Sequence, residues 1–93
     1  MKNHVSITVT GKVQGVAYRM SAKDQAGRLG VTGYAMNCGD GSVCIEAEGE
    51  QKKLDEFITW CKVGPQGSDV QHVNSTSGEV KGYAAFEIRR MGV

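Results

Sequence analysis

The strongest constraint on the fold is a change of hydrophobic period along the chain. Between residues 51 and 63, apolar residues recur at positions i, i+3, i+4 and i+7, the spacing that places them on one face of a helix. These residues are Leu54, Phe57, Ile58 and Cys61. In residues 4–10 the apolar residues instead alternate with polar ones, which is the period of a strand with one buried face. A chain that contains both periods must pack helices against a sheet.

The other segments complete an alternating order of strands and helices. An apolar face on Ala22, Ala26 and Leu29 predicts a helix over residues 21–29. Strands are also predicted for residues 31–37, 43–48, 70–76 and 86–89. Asp40-Gly41 predicts a hairpin turn between two of them. The order β-α-β-β-α-β with a short extra C-terminal strand predicts an α+β, ferredoxin-like fold, in which two helices cover one face of a mostly antiparallel sheet.

The length of 93 residues predicts one domain, spanning residues 1–93, which needs neither a metal nor a disulfide to fold. No segment approaches the roughly 18 apolar residues that a membrane span requires. The N-terminus lacks the apolar block of a signal peptide. We therefore expect a cytoplasmic protein that has no membrane partner. The sequence does not fix the oligomeric state, but one small domain of this type can be a monomer, which is what we expect.

The cysteines and histidines argue against a metal or a secreted framework. Cys38, Cys44 and Cys61 are an odd number and contain no Cys-x-x-Cys pair, which favours reduced thiols. A single bridge from Cys38 to Cys44 across the hairpin stays open as the alternative. His4 and His72 are too few and too isolated to form a metal site or a catalytic triad, so we expect no metal and no cofactor.

The net charge of +1 conceals an uneven distribution. Residues 1–37 contain five basic and one acidic residue, whereas residues 38–69 contain three basic and seven acidic ones. A basic first third predicts an anionic partner. Charge alone is compatible with either nucleic acid or a small anion.

The segment at residues 12–19 has the features of an anion-binding loop. It joins a strand to the start of a helix, where the first amides have no intrahelical partner and the helix dipole favours negative charge. Gly15 permits the backbone angles that let N–H groups converge, and Arg19 adds a fork of donors that matches a phosphate. Taken alone, one glycine and one arginine are a weak signal, and an ordinary turn with a surface arginine is the simpler interpretation.

Several segments together resemble the acylphosphatase family. Gly11–Arg19 is similar to its first signature, Gly33–Asn37 with Asp40–Val43 to its second, and Phe86–Arg89 to its closing strand. The helix end at Ala26, Leu29 and Gly30 and the break at Gly64–Gly67 also match. The resemblance covers nearly the whole chain, and it implies the same ferredoxin-like fold.

The resemblance implies metal-independent hydrolysis of acyl phosphates to a carboxylate and inorganic phosphate. It assigns phosphate binding to Arg19 and to the loop backbone, and the attacking water to Asn37. The loop residues are Gln14, Gly15, Val16, Ala17 and Tyr18. Since a carboxylate is a good leaving group, positioning and charge stabilisation suffice for this chemistry. Asn37 can orient a water but cannot deprotonate it, so we expect a phosphate oxygen of the substrate to take the proton.

The chain departs from the family pattern at a few positions. Ala17 stands where Gly or an aromatic residue is common, and its Cβ predicts a negative φ. Tyr18 replaces the usual Phe, and Met36 replaces a frequent basic residue. Cys38 directly follows Asn37, where a packing role is simpler than a redox one.

Other polar and aromatic residues are given structural roles. Glu46, Glu48 and Glu50 recur every second position, so they are expected on one solvated strand face. His4 is expected on the outer face of the first strand, and Trp60 at the margin of the helical stripe.

Other functions of the ferredoxin-like fold fit less well. An RNA-binding domain would place aromatic and basic residues on its central strands, but this chain is 6% aromatic and has glutamates there. A copper carrier would need a Cys-x-x-Cys loop. The alternative is a non-catalytic phosphate- or acyl-phosphate-binding regulatory domain, which would need Arg19 but not Asn37. We therefore expect a small acyl phosphate and inorganic phosphate as partners, and no nucleic acid.

Overall fold

The computed structural model describes residues 1–90 and confirms the predicted order of strands and helices. The elements are β1 (Asn3–Lys12), α1 (Tyr18–Leu29), β2 (Thr32–Asn37), β3 (Val43–Gly49), α2 (Gln51–Val63), β4 (Asp69–Gly78) and β5 (Phe86–Arg89). Helix α1 begins three residues earlier than predicted, because the chain turns sharply at residue 17 and enters the helix at once. The end of the predicted domain, residues 91–93, lies outside the described residues.

The five strands form one mixed sheet in the order β4-β1-β3-β2-β5. Strand β1 is antiparallel to β3 and β4, β2 is antiparallel to β3, and β5 runs parallel to β2. Both helices cover one face, which gives the predicted ferredoxin-like arrangement. Within residues 1–90, no helix is both long and apolar enough to cross a membrane.

The core lies between the helices and the sheet. From the sheet it receives the apolar residues of the alternating strands, including Val5, Ile7, Val9, Ala35, Val43, Ile45 and Ala47. Helix α1 contributes Ala22 and Ala26, and α2 contributes Leu54, Phe57 and Cys61. Trp60 is partly buried beside this core and stacks on Phe57, with 6.2 Å between ring centroids, so its predicted marginal position is confirmed.

A tight turn connects β2 and β3, as Asp40-Gly41 predicts. The backbone N–H of Cys38 donates to the carbonyl of Ser42 over 2.8 Å, and that of Gly41 donates to the carbonyl of Cys38 over 3.2 Å. Asp40 Oδ1 accepts hydrogen bonds from both the backbone N–H and the hydroxyl of Ser42. The turn therefore has its own hydrogen bonds, in addition to those of the strand pair.

The structure joins Cys38 and Cys44 in a disulfide across this hairpin. The expectation of three reduced thiols is therefore wrong for this pair. The structure instead has the bridge across the hairpin that the sequence left open as the alternative. The physical reason is that the turn brings the two Cα atoms to 6.4 Å, within the range that a disulfide spans. Of the cysteines, all of which lie in the described part of the chain, Cys61 is the free one.

The outer face of the sheet, opposite the helices, contains a buried ionic cluster. His4 lies on this face, as predicted, but the expectation of solvated glutamates is wrong for Glu48, which is completely buried. Its carboxylate contacts His4 Nδ1 at 2.7 Å and accepts hydrogen bonds from the backbone N–H groups of Lys81, Gly82 and Tyr83. The segment between β4 and β5 crosses the sheet here and covers Glu48, which the local strand pattern could not indicate.

The other two glutamates differ from Glu48 in their surroundings. Glu46 is partly buried, lies 2.6 Å from His4 Nε2 and accepts a hydrogen bond from the hydroxyl of Ser6. Glu50 is exposed and precedes α2 rather than belonging to the strand, so its predicted place on the strand face is wrong. Strand β3 ends one residue earlier, at Gly49, where the chain turns into the helix.

The cluster links the stability of the fold to pH. Burial raises the pKa of Glu48, but hydrogen bonds from the backbone N–H of Lys81, from His4 and from two further amides outweigh this effect and lower the pKa from 4.5 to about 2. Burial lowers the pKa of His4, but its hydrogen bonds to Glu48 and Glu46 outweigh this effect and raise the pKa above 6.5. The stabilisation from Glu48 is complete above pH 4.5 and is lost as the pH falls toward 2. That from His4 is complete below pH 6.5 and is lost as the pH rises through the raised value.

We expect Glu48→Gln to lower the free energy of unfolding by about 3 kcal/mol near pH 6, because it removes one of the two carboxylates that pair with buried His4 and sets an amide donor against backbone N–H donors. The difference from wild type should shrink as the pH falls toward 2, where Glu48 itself becomes protonated. Denaturant titrations over a pH series measure both effects. The exposed Glu50→Gln is the matched control and should change stability by less than about 0.5 kcal/mol. Equal stability of wild type and Glu48→Gln near pH 6 would contradict the expectation.

Candidate active site

A pocket of about 250 Å³ lies where the β1–α1 loop, the start of α1, the end of β2 and strand β5 meet. It is lined by Val13, Gly15, Ala17, Tyr18, Arg19, Met20, Asn37 and Ile88. The structure thus brings five of the seven predicted site residues to one cavity, although Arg19 and Asn37 lie on different elements of the chain. The other two, Gln14 and Val16, do not line it.

The loop turns into the helix through left-handed backbone. Gly15 has a φ of 75°, and Ala17, the N-cap residue of α1, has a φ of 60° and a ψ of 28°. The negative φ predicted for Ala17 is therefore wrong. The sharp entry into the helix requires the left-handed region here, and a small side chain tolerates it with a cost of about 1 kcal/mol. Left-handed residues are the conformation with which short loops turn successive N–H groups toward an anion in a nest.

The start of α1 offers unpaired donors to the pocket. Ala17 makes no side-chain cap, and the first turn of α1 contains no acidic residue. The first amides of the helix therefore lack an intrahelical or capping partner, and no carboxylate in the first turn offsets the positive end of the dipole. An anion in the pocket would be bound by both features.

Arg19 is held by a backbone carbonyl at the end of β5 and leaves donors free. Its Nη1 donates to the carbonyl of Arg89 over 3.1 Å, which fixes the guanidinium near the end of β5. Among residues 1–90, no carboxylate forms an ion pair with Arg19. A guanidinium has five N–H donors, so several remain to bind an anion bidentately.

Tyr18 anchors the loop instead of offering its side chain to a ligand. Its hydroxyl donates to the carbonyl of Cys61 in α2 over 2.7 Å, and its ring lies 5.3 Å from that of Trp60. Burial raises the pKa of this phenol well above its usual value, so it stays neutral. The hydroxyl that distinguishes Tyr18 from the family's usual Phe thus has a structural partner, and only the backbone of Tyr18 is available to a ligand.

Gln14 connects the loop to the β2–β3 hairpin. Its Nε2 donates to the carbonyls of Cys38 and Ser42, both over 2.9 Å. Val16 is partly buried and packs against the core. Backbone phosphate binding by Gln14 and Val16 stays a prediction, whereas the side chain of Gln14 has a clear structural role.

Asn37 is the last residue of β2 and pairs with Val43 of β3. Its Oδ1 is buried and, within residues 1–90, has no hydrogen-bond partner. Leaving such an oxygen unpaired costs about 1–3 kcal/mol, so it needs an explanation; within residues 1–90, the hydroxyl of Thr32 is in the same condition. Asn37 also lines the same pocket as Arg19, so a rotation of its unpaired amide would present this oxygen to a water or a polar ligand group in the pocket.

Three apolar pocket residues were not predicted from the sequence. Val13 is buried, Ile88 is partly buried on β5, and Met20 is 60% exposed on α1. Ile88 could have been placed near the site from the topology, since β5 pairs in parallel with β2 and Ile88 lies opposite Ala35. No sequence period singles out Val13 or Met20. In the part of the chain that the structure describes, no group of three or more His, Cys, Asp or Glu side chains is placed to hold a metal ion.

Comparison with known proteins decides the family. The family model described as acylphosphatase matches residues 5–88, nearly the whole chain. The chain belongs to the acylphosphatase family. Members of this family hydrolyse acyl phosphates.

Individual acylphosphatases support the assignment in sequence and in structure. An acylphosphatase of a Nocardioides strain is 39% identical, over 96% of this chain and 90% of the relative. The structure of an acylphosphatase from Coxiella burnetii matches with a TM-score of 0.92 and 34% identity, over 95% of this chain and 93% of the other. An acylphosphatase from Bacillus subtilis gives a TM-score of 0.91 and 32% identity, over 96% and 99% of the two chains. This chain therefore has the acylphosphatase fold.

We expect Ala17→Val to destabilise this acylphosphatase by about 1–2 kcal/mol, because a β-branched residue is strongly disfavoured in the left-handed region. It should also weaken inorganic phosphate binding, since the loop amides would lose their common direction. Ala17→Gly is the matched control and should retain both stability, within about 1 kcal/mol, and phosphate binding. Thermal unfolding and competition by phosphate measure the two properties. Equal behaviour of the Val and Gly variants would show that the loop does not need this backbone conformation.

Proposed function

We propose that the pocket hydrolyses acyl phosphates without a metal, with the phosphoryl group held by Arg19 and the loop amides and the attacking water oriented by Asn37. The observation that carries this proposal is the buried, unpartnered Oδ1 of Asn37 on a residue that lines the same cavity as Arg19. A domain that merely bound phosphate would have no use for such an amide.

The phosphoryl group is proposed to be bound mainly by backbone. The left-handed loop and the uncapped start of α1 provide amide donors in fixed positions, and Arg19 contributes a positive charge that no carboxylate of residues 1–90 neutralises. Donors that are already oriented stabilise the charge of the transition state without reorganising during the reaction. Phosphoryl transfer depends mostly on such positioning and charge stabilisation.

In the reaction, the oxygen of the water held by Asn37 forms a bond to phosphorus while the bond from phosphorus to the acyl oxygen breaks. The carboxylate leaves with the electron pair of that bond. The water proton passes to a phosphate oxygen of the substrate, because Asn37 is not a base. Of the pocket-lining residues in the described range 1–90, none is Asp, Glu or His, which supports proton transfer within the substrate.

The remaining walls suit the carbon skeleton of the acyl group. Val13, Met20 and Ile88 are apolar and lie in the same pocket as Arg19. A polar end for the phosphate and an apolar wall for the acyl group match the two halves of an acyl phosphate. Action as a monomer stays a prediction from the sequence. The cytoplasmic location and the absence of a nucleic-acid partner stay predictions from the sequence.

Arg19→Ala and Asn37→Ala should separate binding from chemistry. With benzoyl phosphate as substrate and without added metal, we expect each variant to lower kcat/KM by about 10²- to 10³-fold or more. Competitive inhibition by inorganic phosphate should weaken strongly in Arg19→Ala but persist in Asn37→Ala, since of these two side chains only that of Arg19 is proposed to bind the phosphate. Arg28→Ala is the control, because Arg28 is exposed and pairs with Asp24 on the helix surface. A wild-type chain that bound phosphate but did not hydrolyse the substrate would instead indicate a regulatory binding domain.

The pH dependence of kcat tests the proton transfer. Because no Asp, Glu or His side chain of the described residues lines the pocket, we expect no limb from an enzyme base in kcat between about pH 6 and 8. Steady-state rates with benzoyl phosphate over this range measure it, with substrate at saturation. A limb in this range that shifts with substitution of an Asp, Glu or His would show that an enzyme group takes the proton.

A further inference from the structure

The disulfide between Cys38 and Cys44 lies beside the residue proposed to hold the water. Cys38 follows Asn37 directly at the end of β2, and Cys44 pairs with Met36 in the register of β2 and β3. The bond therefore closes a short ring of chain, residues 38–44, at the end of the strand that positions Asn37.

The same ring also holds the phosphate-binding loop. The two carbonyls that accept hydrogen bonds from Gln14 belong to Cys38 and Ser42, and both are members of the ring. The ring is thus connected to Asn37 through the backbone and to the β1–α1 loop through Gln14. A change in its rigidity would reach both halves of the proposed catalytic arrangement.

The paired cysteines lie nearer the surface of the protein than the third. Cys38 and Cys44 are partly exposed, but Cys61 is completely buried in the core. Burial also raises the pKa of the Cys61 thiol to about 12, so this residue is not reactive near neutral pH. Any thiol chemistry of the folded chain is therefore confined to the pair.

We propose that Cys38 and Cys44 form a reversible redox site, through which small-molecule thiols and disulfides set the turnover number of the enzyme. This inference rests on the proposed role of Asn37. A thiolate of a small thiol attacks one sulfur of the pair, the bond between the two cysteines breaks, and a mixed disulfide forms. A second small thiol then attacks the small-molecule sulfur of the mixed disulfide, and the cysteine sulfur leaves as a thiolate. The pair thereby gains two electrons and two protons, and the two small thiols become their disulfide. The reverse reaction with a small disulfide restores the bond.

The two states should differ in the order of the ring rather than in the fold. In the reduced state the turn keeps its backbone hydrogen bonds between Cys38 and Ser42 and the hydrogen bonds from Ser42 to Asp40. It loses the covalent restraint on the residue that follows Asn37. Since a small misplacement of a positioning group is costly in rate, reduction should lower kcat while phosphate binding by Arg19 persists.

The test compares the wild-type protein after equilibration with dithiothreitol and with oxidised glutathione, each followed by removal of the reagent. Titration of the native protein should find two more reactive thiols in the reduced sample. With benzoyl phosphate, kcat of the reduced sample should be about 3- to 10-fold lower, and the inhibition constant of inorganic phosphate should be unchanged.

Variants assign the effect to the pair. The double variant Cys38→Ser/Cys44→Ser should show the kcat of the reduced wild type and no response to either reagent, because no thiol of the pair remains to exchange. Cys61→Ala should keep the ratio between the two states, whatever its absolute stability. An active wild-type enzyme with equal kcat in both states, or without a disulfide after oxidised glutathione, would overturn this inference alone. A chain that is inactive in both states would overturn the proposed function and this inference with it.

Discussion

The close packing of α1 on the sheet is the constraint on which the pocket depends. The face of α1 toward the sheet consists of short side chains, and Ala22 and Ala26 are completely buried. Small residues let the helix axis approach β2 and β5, whose ends then lie beside the start of the helix. Three groups that are far apart in the sequence thus meet at one place. They are the unpaired amides of α1, Asn37 at the end of β2 and the carbonyl of Arg89.

The sheet has an apolar core on the face toward the helices and an ionic cluster on the outer face. The segment between β4 and β5 connects the two. On the outer face, the carboxylate of Glu48 binds three consecutive amides, those of Lys81, Gly82 and Tyr83. The segment then leads into β5, whose last residue holds Arg19 through its carbonyl. A buried ionic cluster on one side of the sheet therefore helps to fix the position of a strand that the pocket on the other side uses.

The proposed catalytic groups are mostly backbone amides, with only a few side chains. Since every residue type has a backbone amide, the residue types alone are a weak signal of function. Nothing about Gly15 and Arg19 by themselves distinguishes a phosphate site from a turn, whereas the segments that resemble the acylphosphatase signatures do. The same reliance on backbone explains the roles that the sequence could not indicate. Gln14 acts through its side chain on the hairpin, and Tyr18 acts through its hydroxyl on α2.

The sequence by itself determined the order of elements and the helix-facing residues of the central strands, because hydrophobic periods of two and 3.6 are local properties of the chain. It also determined the bounds of α2, whose apolar stripe has clear breaks on both sides. Only the tertiary structure decided the burial of Glu48, the left-handed conformation of Ala17 and the approach of Cys38 to Cys44. Each of these features depends on a second segment of the chain, or on the direction in which the chain must turn to reach that segment. A local sequence pattern contains no information about where the second segment lies.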